Sequence, residues 1–421
     1  MISDPATFFE DSLLKVDLPK KELVADALRV KDESFLFPFK PELLDYYTSR
    51  EIANNTSALE IPERNAIEVE LRLPLKNQRF IKVAREYKRD TAVFSEDLLT
   101  PNMAVWPDFA AKDWQRYFYY IFKLRDDCIE FKPHKAKDDP DPTSRQIESI
   151  RTEWLESRQP IEAFIGCSAH HLSFGKQGLL LLRYRWLDPP RKFWKVGVDF
   201  GSTHTRVFSL EVKKDKDGNL EAAATAKIEP VEFPPRARSV TFCERGALNV
   251  SFFAENQAGY DQKGVYKTGQ LSSLLYQPEL NPGEPGDWLP REGLVFQPSL
   301  AELAADYRQS ENLRRHLKWD NQDNGQALQA FFRCLMLMTQ AEAFDKGARL
   351  IEVVHTHPSV LPKNLVDTQK TEWTRVQDYL KATLSDEQTK IVIKPSGITE
   401  TVAVCNHLAF EQKASPNQNV I

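Results

Sequence analysis

The sequence predicts an α+β protein, β-rich in front and mixed behind. Three observations carry this. From about residue 65 to 190, short segments alternate apolar and polar side chains and are rich in β-branched and aromatic residues, the pattern of half-buried strands. Ala327–Phe344 is apolar nearly all round, which marks a buried helix. From Lys195 onward the order reads strand, strand, strand, then helix and strand in alternation.

The elements follow in order. Residues 1–60 form a mixed segment, with a helix expected near Lys20–Val30 and an aromatic stretch, FLFPFKPELLDYY, behind it. Residues 61–190 form the β-rich domain. Its strands are AIEVELRLPL, RFIKVAREY, CIEFKPH, IEAFIGCSA and GLLLLRYRW, with WQRYFYYIFKL readable as strand or helix. KAKDDPDPTSRQ, 135–146, reads as an exposed loop, and LDPPRK, 187–192, as a linker. Residues 195–421 form the last domain. A third strand is expected within AAATAKIEPVEF, a long Pro/Gly loop over 278–293, and a C-cap at Gly347 behind the apolar helix. RLIEVVH follows as a strand. A helix then begins at Pro362 with Trp373, Val376 and Leu380 on one face, KIVIKP is a strand, and Thr399–Phe410 a final helix.

Composition excludes several classes. A net charge of -5 lacks the basic excess of a dedicated nucleic-acid binder. The five cysteines are scattered, with no CxxC, which fits a reducing compartment better than a disulfide framework or zinc site. The N-terminus has acids where a signal peptide has bases, and no run reaches the roughly 18 apolar residues of a membrane span. The expectation is a soluble cytoplasmic protein. No GxSxG, P-loop or GxGxxG occurs. His355 and His357 read as turn residues, Cys167 as a half-buried strand-end thiol, and the Trp106–Tyr120 aromatic cluster as core, with a recognition surface as its alternative.

The chemistry concentrates in KVGVDFGSTHTRVFSLEV, Lys195–Val212, which reads as a hairpin. Gly201 permits close backbone approach, and Ser202 and Thr203 add hydroxyl donors beside successive N–H groups, which together make an anion nest. Asp199 would repel a bare phosphate, so it fits one whose charge is bridged by Mg²⁺ held through water. A polar turn with no ligand is the alternative.

This turn resembles the first phosphate motif of the actin, heat-shock chaperone and sugar kinase superfamily. VVHTHPSVLP, with Pro358 and Ser359, and SGITETVAVCNHLAF, with Glu400, resemble later motifs of its chaperone-like branch in order and spacing. The resemblance covers about 195–421 and implies the first half of a ribonuclease H-like (actin-like) ATPase fold. It also implies ATP and Mg²⁺ as cofactors, Asp199 and Glu400 as catalytic residues, and Gly201, Ser202 and Thr203 as phosphate donors. Asp199 would be the metal residue, acting through water. The chain ends at NQNVI, where the family continues to a second, Asp-Gly-Gly-rich hairpin. The expectation is therefore a first lobe that cannot hydrolyse ATP alone, part of an ATP-dependent switch. Its protein partner is expected on the N-terminal β-rich domain, with neither nucleic acid nor membrane involved. An interaction module with a degenerate lobe and a small-molecule kinase remain as alternatives.

Overall fold

The computed structural model describes residues 5–18, 25–75, 79–89, 99–123, 128–135, 141–147, 152–168, 177–202, 204–214, 220–222, 227–234, 236, 238–241, 271–272, 275–276, 313–314, 317–319, 326–385 and 391–399. Strands and helices are mixed, with strands dominant. The chain forms two compact units. One comprises Met1–Ala110, Gln115–Trp186 and Ala237–Arg245, and the other Ala111–Trp114, Leu187–Arg236 and Gly246–Ile421.

The first unit is built from antiparallel sheets. Thr56–Ile61, Ala66–Pro74 and Phe80–Lys88 form a meander whose alternate residues Ile67, Val69, Leu71 and Leu73 turn inward. Those side chains share one core with Phe9, Leu28, Val30, Phe35, Phe39, Leu179 and Leu181, so residues on both sides of position 60 pack together. The helix expected near Lys20–Val30 is overturned over its described part. Ala25–Asp26 and Leu28–Val30 are strands, the latter pairing with Glu33–Phe35 around a turn in which Lys31 has φ 54°. Burial of Leu28 and Val30 on either side of exposed Arg29 has period two, and the shared core rewards that period over a helical one.

WQRYFYYIFKL resolves as a strand, Tyr117–Phe122, because Asn102–Trp106 and Thr152–Ser157 pair with it on both edges. Its aromatics are core. Tyr117 and Tyr119 are fully buried, and the Tyr119 hydroxyl accepts the Ile161 N–H (2.6 Å) and bonds the Tyr184 hydroxyl (2.8 Å). The exposed loop over 135–146 is partly overturned. Thr143–Ile147 is a strand, because Thr152–Ser157 offers it a free ladder edge.

The second unit centres on a seven-stranded sheet. Strand β1 (Lys192–Phe200) and β2 (His204–Lys214) make an antiparallel hairpin. The expected third strand is β4 (Ile228–Pro230); β3 (Leu220–Ala222) precedes it, and both lie on β2 with β5 (Leu271–Ser272). After helix α1 (Gln326–Asp345), strand β6 (Ala348–His357) runs parallel to β1. After helix α2 (Lys363–Lys381), β7 (Val392–Thr399) runs parallel to β6. The order across the sheet is β3-β2-β1-β6-β7.

Gly347, at φ 70°, ends α1 with its N–H on the Phe344 carbonyl (2.9 Å), the left-handed cap that glycine adopts without penalty. The Gly347 carbonyl then accepts the N–H groups of Arg191 and Lys192 (3.0 Å each), which ties the helix end to the start of β1. Leu365, Gln369, Trp373, Val376 and Leu380 form the buried stripe of α2. The loop over 278–293 and the helix over 399–410 lie outside the described residues, apart from Thr399, which ends β7.

Candidate functional site

The alternation of β1 decides what the site shows. Val196, Val198 and Phe200 are buried, while Gly197 and Asp199 face outward. Phe200, fully buried, packs on Phe332 (centroids 4.9 Å, edge-to-face) and Phe331 (5.6 Å) of α1. That contact fixes the strand end just where the backbone turns. Gly201 and Ser202 follow, both partly exposed.

Beside β1 runs β6, and its register sets Val198 opposite His355. The next residues are therefore neighbours, and the Thr356 hydroxyl donates to Asp199 Oδ1 at 3.1 Å. No cationic side chain among the described residues pairs with Asp199. On the other side of the turn, Trp319 Nε1 donates to the Ser202 hydroxyl at 2.9 Å. An accepting hydroxyl oxygen leaves its own proton available to a ligand.

A file of aromatic rings supports this end of the sheet. Phe332 stacks on Trp373 (4.0 Å, 19°), and Trp373 stacks on His355 (4.8 Å, 17°). The expectation of a turn role for His355 is thus corrected. It lies inside β6 and is 1% exposed, because the strand runs on to His357 and α2 brings Trp373 over the imidazole. Strand β7 bulges to admit it, with the single residue His355 facing Pro395–Gly397. Gly397 has φ 58°, and a Cβ there would lie 2.6 Å from His355 Cε1, so this position excludes larger residues.

The face that carries Asp199 also carries a charge ladder. Glu352 lies between Lys394 (2.9 Å) and Lys195 (3.4 Å). Burial would raise its carboxyl, but the two ammonium groups outweigh burial and hold it below the ordinary carboxylate range. Gly197 leaves open space on this face, since a Cβ there would meet nothing within 4 Å.

Of the residues singled out in the sequence, Asp199, Gly201 and Ser202 lie together at this strand end. Thr203 and Glu400 lie outside the described residues. Thr356, Trp319 and Gly397 were not legible as site residues. The threonine could have been found from the strand alternation of VVHTH once β6 was known to adjoin β1. Among the described residues no group of three or more His, Cys, Asp or Glu is poised to hold a metal ion directly. A lone outward carboxylate flanked by hydroxyls suits a cation that keeps its water shell, as Mg²⁺ does. No protein-family model matches the chain, and no curated protein matches it. Among the described residues no helix is long and apolar enough to cross a membrane.

Proposed function

We propose that this chain binds Mg-ATP at the carboxyl ends of β1, β6 and β7 and acts as a nucleotide-dependent switch on a protein partner. In this reading the second unit is the first lobe of a ribonuclease H-like, actin-like ATPase fold. One observation carries it. Strand β1 has an antiparallel neighbour, β2, on one side and a parallel neighbour, β6, on the other, and Asp199 lies where these directions change. In open sheets with parallel strands ligands bind outside the carboxyl ends of those strands, and Asp199 and Thr356 meet at the carboxyl ends of the parallel pair β1–β6. The order of an antiparallel hairpin with three short strands on β2, followed by two helix–strand repeats, is compatible with the same fold.

Asp199 orders the hydration shell of the metal. The Thr356 hydroxyl holds that carboxylate in place, and Gly201, Ser202 and Thr203 donate to phosphate oxygens. Glu400, the residue after the end of β7, orders metal and water. Mg²⁺, when bound, supplies neutralisation of phosphate charge. The partner is met by the first, β-rich unit. The setting is the cytoplasm, consistent with free thiols at Cys128, Cys167 and Cys334.

Titration of a fluorescent ATP analogue with and without Mg²⁺ tests this reading. The expected result is saturable binding that EDTA removes and that Asp199→Asn weakens at least about tenfold, or about 1.4 kcal/mol. Binding that ignores both Mg²⁺ and the Asp199→Asn change overturns it, as does no binding at all.

A further inference from the structure

The first unit holds a cleft of about 410 Å³, within the size range of small-ligand sites. One wall comes from the 3-10 turn Pro41–Asp45 and the start of the short helix Ser49–Asn54. The other comes from the end of strand Ile129–His134, the adjoining start of Ala163–Ser168, and Trp186. The Ser49 hydroxyl donates to Glu162 Oε2 (3.2 Å), which ties the two walls together.

The lining is one-sided in charge. Asp45, Glu51 and Glu162 contribute three carboxylates, and among the described residues no lysine or arginine lines the cleft. Two of the carboxylates have structural duties. Glu51 accepts from the Thr48 N–H and hydroxyl (2.9 Å each) in a capping box, and Glu162 accepts from Ser49. The Asp45 carboxylate has no hydrogen-bond or ion-pair partner among the described residues and is solvent-exposed. Burial lowers the pKa of His134 below the ordinary histidine value, against the pull of Asp45 and Glu42.

Two exposed aromatic side chains stand at this cleft, Tyr46 at 81% exposure and Trp186 at 56%. Their exposed ring surface is available to a ligand beside these carboxylates. Together they match a flat organic cation, which stacks on an aromatic ring and donates to carboxylates. A bare metal ion does not fit, since among the described residues no three ligand side chains converge. A phosphate or other anion is repelled.

We propose that this cleft captures an arginine side chain presented by a protein partner, its guanidinium between the Asp45 and Glu162 carboxylates and against the Trp186 or Tyr46 ring. The guanidinium is favoured over an ammonium because its planar fork both stacks and donates to two acceptors at once, whereas a lysine ammonium is a compact, strongly hydrated point charge. The inference deepens the partner half of the reading above and is independent of its nucleotide half.

The test uses the full chain with labelled tryptophan indoles and no nucleotide, so its failure and the failure of Mg-ATP binding are separate events. The Trp186 signal is assigned by its loss in Trp186→Phe. Titration with a tetra-arginine peptide is expected to shift that signal saturably and to weaken as salt rises. Tetra-lysine at equal charge is expected to bind at least about threefold more weakly, and the Asp45→Asn, Glu162→Gln double variant about tenfold or more weakly. Asp45→Asn alone, at a carboxylate the fold does not use, keeps the test decisive if the Glu162 change disturbs Ser49. No shift at millimolar peptide, an equal response to tetra-lysine, or an unchanged response in a folded Asp45→Asn variant overturns the proposal.

Discussion

Two carboxylate sites in the second unit serve opposite ends. At the end of α1, Glu342 and Asp345 close on Arg236, which is 4% exposed, with Arg236 Nη2 donating to Asp345 Oδ2 at 2.9 Å and to Glu342 as well. Burial would lower the pKa of that guanidinium, but the two carboxylates outweigh burial and keep it charged. At the end of β1, Asp199 is exposed and meets a hydroxyl instead of a cation. The first arrangement is complete without a ligand. The second leaves a negative charge, a hydroxyl donor and open space on one strand end, with no cation beside the carboxylate among the described residues. A matched charge in a core marks architecture, and an unmatched one at a strand end marks a candidate site.

The sharpest way to break this contrast is Arg236→Ala, which removes the buried guanidinium from Glu342 and Asp345 and leaves Glu342 only its exposed partner Lys346. The expected cost is about 3–5 kcal/mol in denaturant unfolding. A loss below about 1 kcal/mol would show that the triad is not structural. Gly397→Ala comes next. It forces a Cβ against His355 at a left-handed backbone position, and we expect about 1–3 kcal/mol of destabilisation, read as a lowered thermal midpoint. An unchanged midpoint would mean the bulge in β7 is not a rigid support.

The charge ladder gives a smaller, pH-dependent effect. Glu352 has a lower pKa folded than unfolded, so its contribution is present above the unfolded carboxyl pKa and is lost as pH falls through the folded one. Wild type should therefore lose stability more steeply than Glu352→Gln as pH drops below about 4, by about 1 kcal/mol at most for a partly exposed ion pair. Parallel acid titrations would contradict this. Asp199→Asn stands last on the stability scale, within about 0.5 kcal/mol of wild type, as for an exposed position without an ion pair. A large destabilisation there would make Asp199 an architectural residue like Glu342 and remove the contrast.

Local chemistry made the frame around the site legible. The β1–β2 hairpin, α1 with its Gly347 cap, β6 and the Trp373–Val376–Leu380 face of α2 all follow from periodicity and turn residues acting over a few positions. Errors arose where a distant partner overruled the local preference. Leu28 and Val30 alternate because a shared core lies on one side of them, and Thr143–Ile147 is a strand because another strand offers it an edge. His355 is core because Trp373 and the β7 bulge enclose it.

The sequence by itself determined which residues could carry chemistry at the hairpin tip, since alternation turns Asp199 outward and anchors Phe200 inward whatever lies beside them. Only the tertiary structure decided what Asp199 meets. Thr356 lies 157 positions away and Trp319 approaches Ser202 from 117 positions, pairings that no local preference encodes. The same holds for the cleft of the first unit, where Asp45 and Trp186 come to one concavity. Strand register and helix docking are chosen by the burial of whole faces, and the polar residues at the ends of those faces are carried to their neighbours as a consequence.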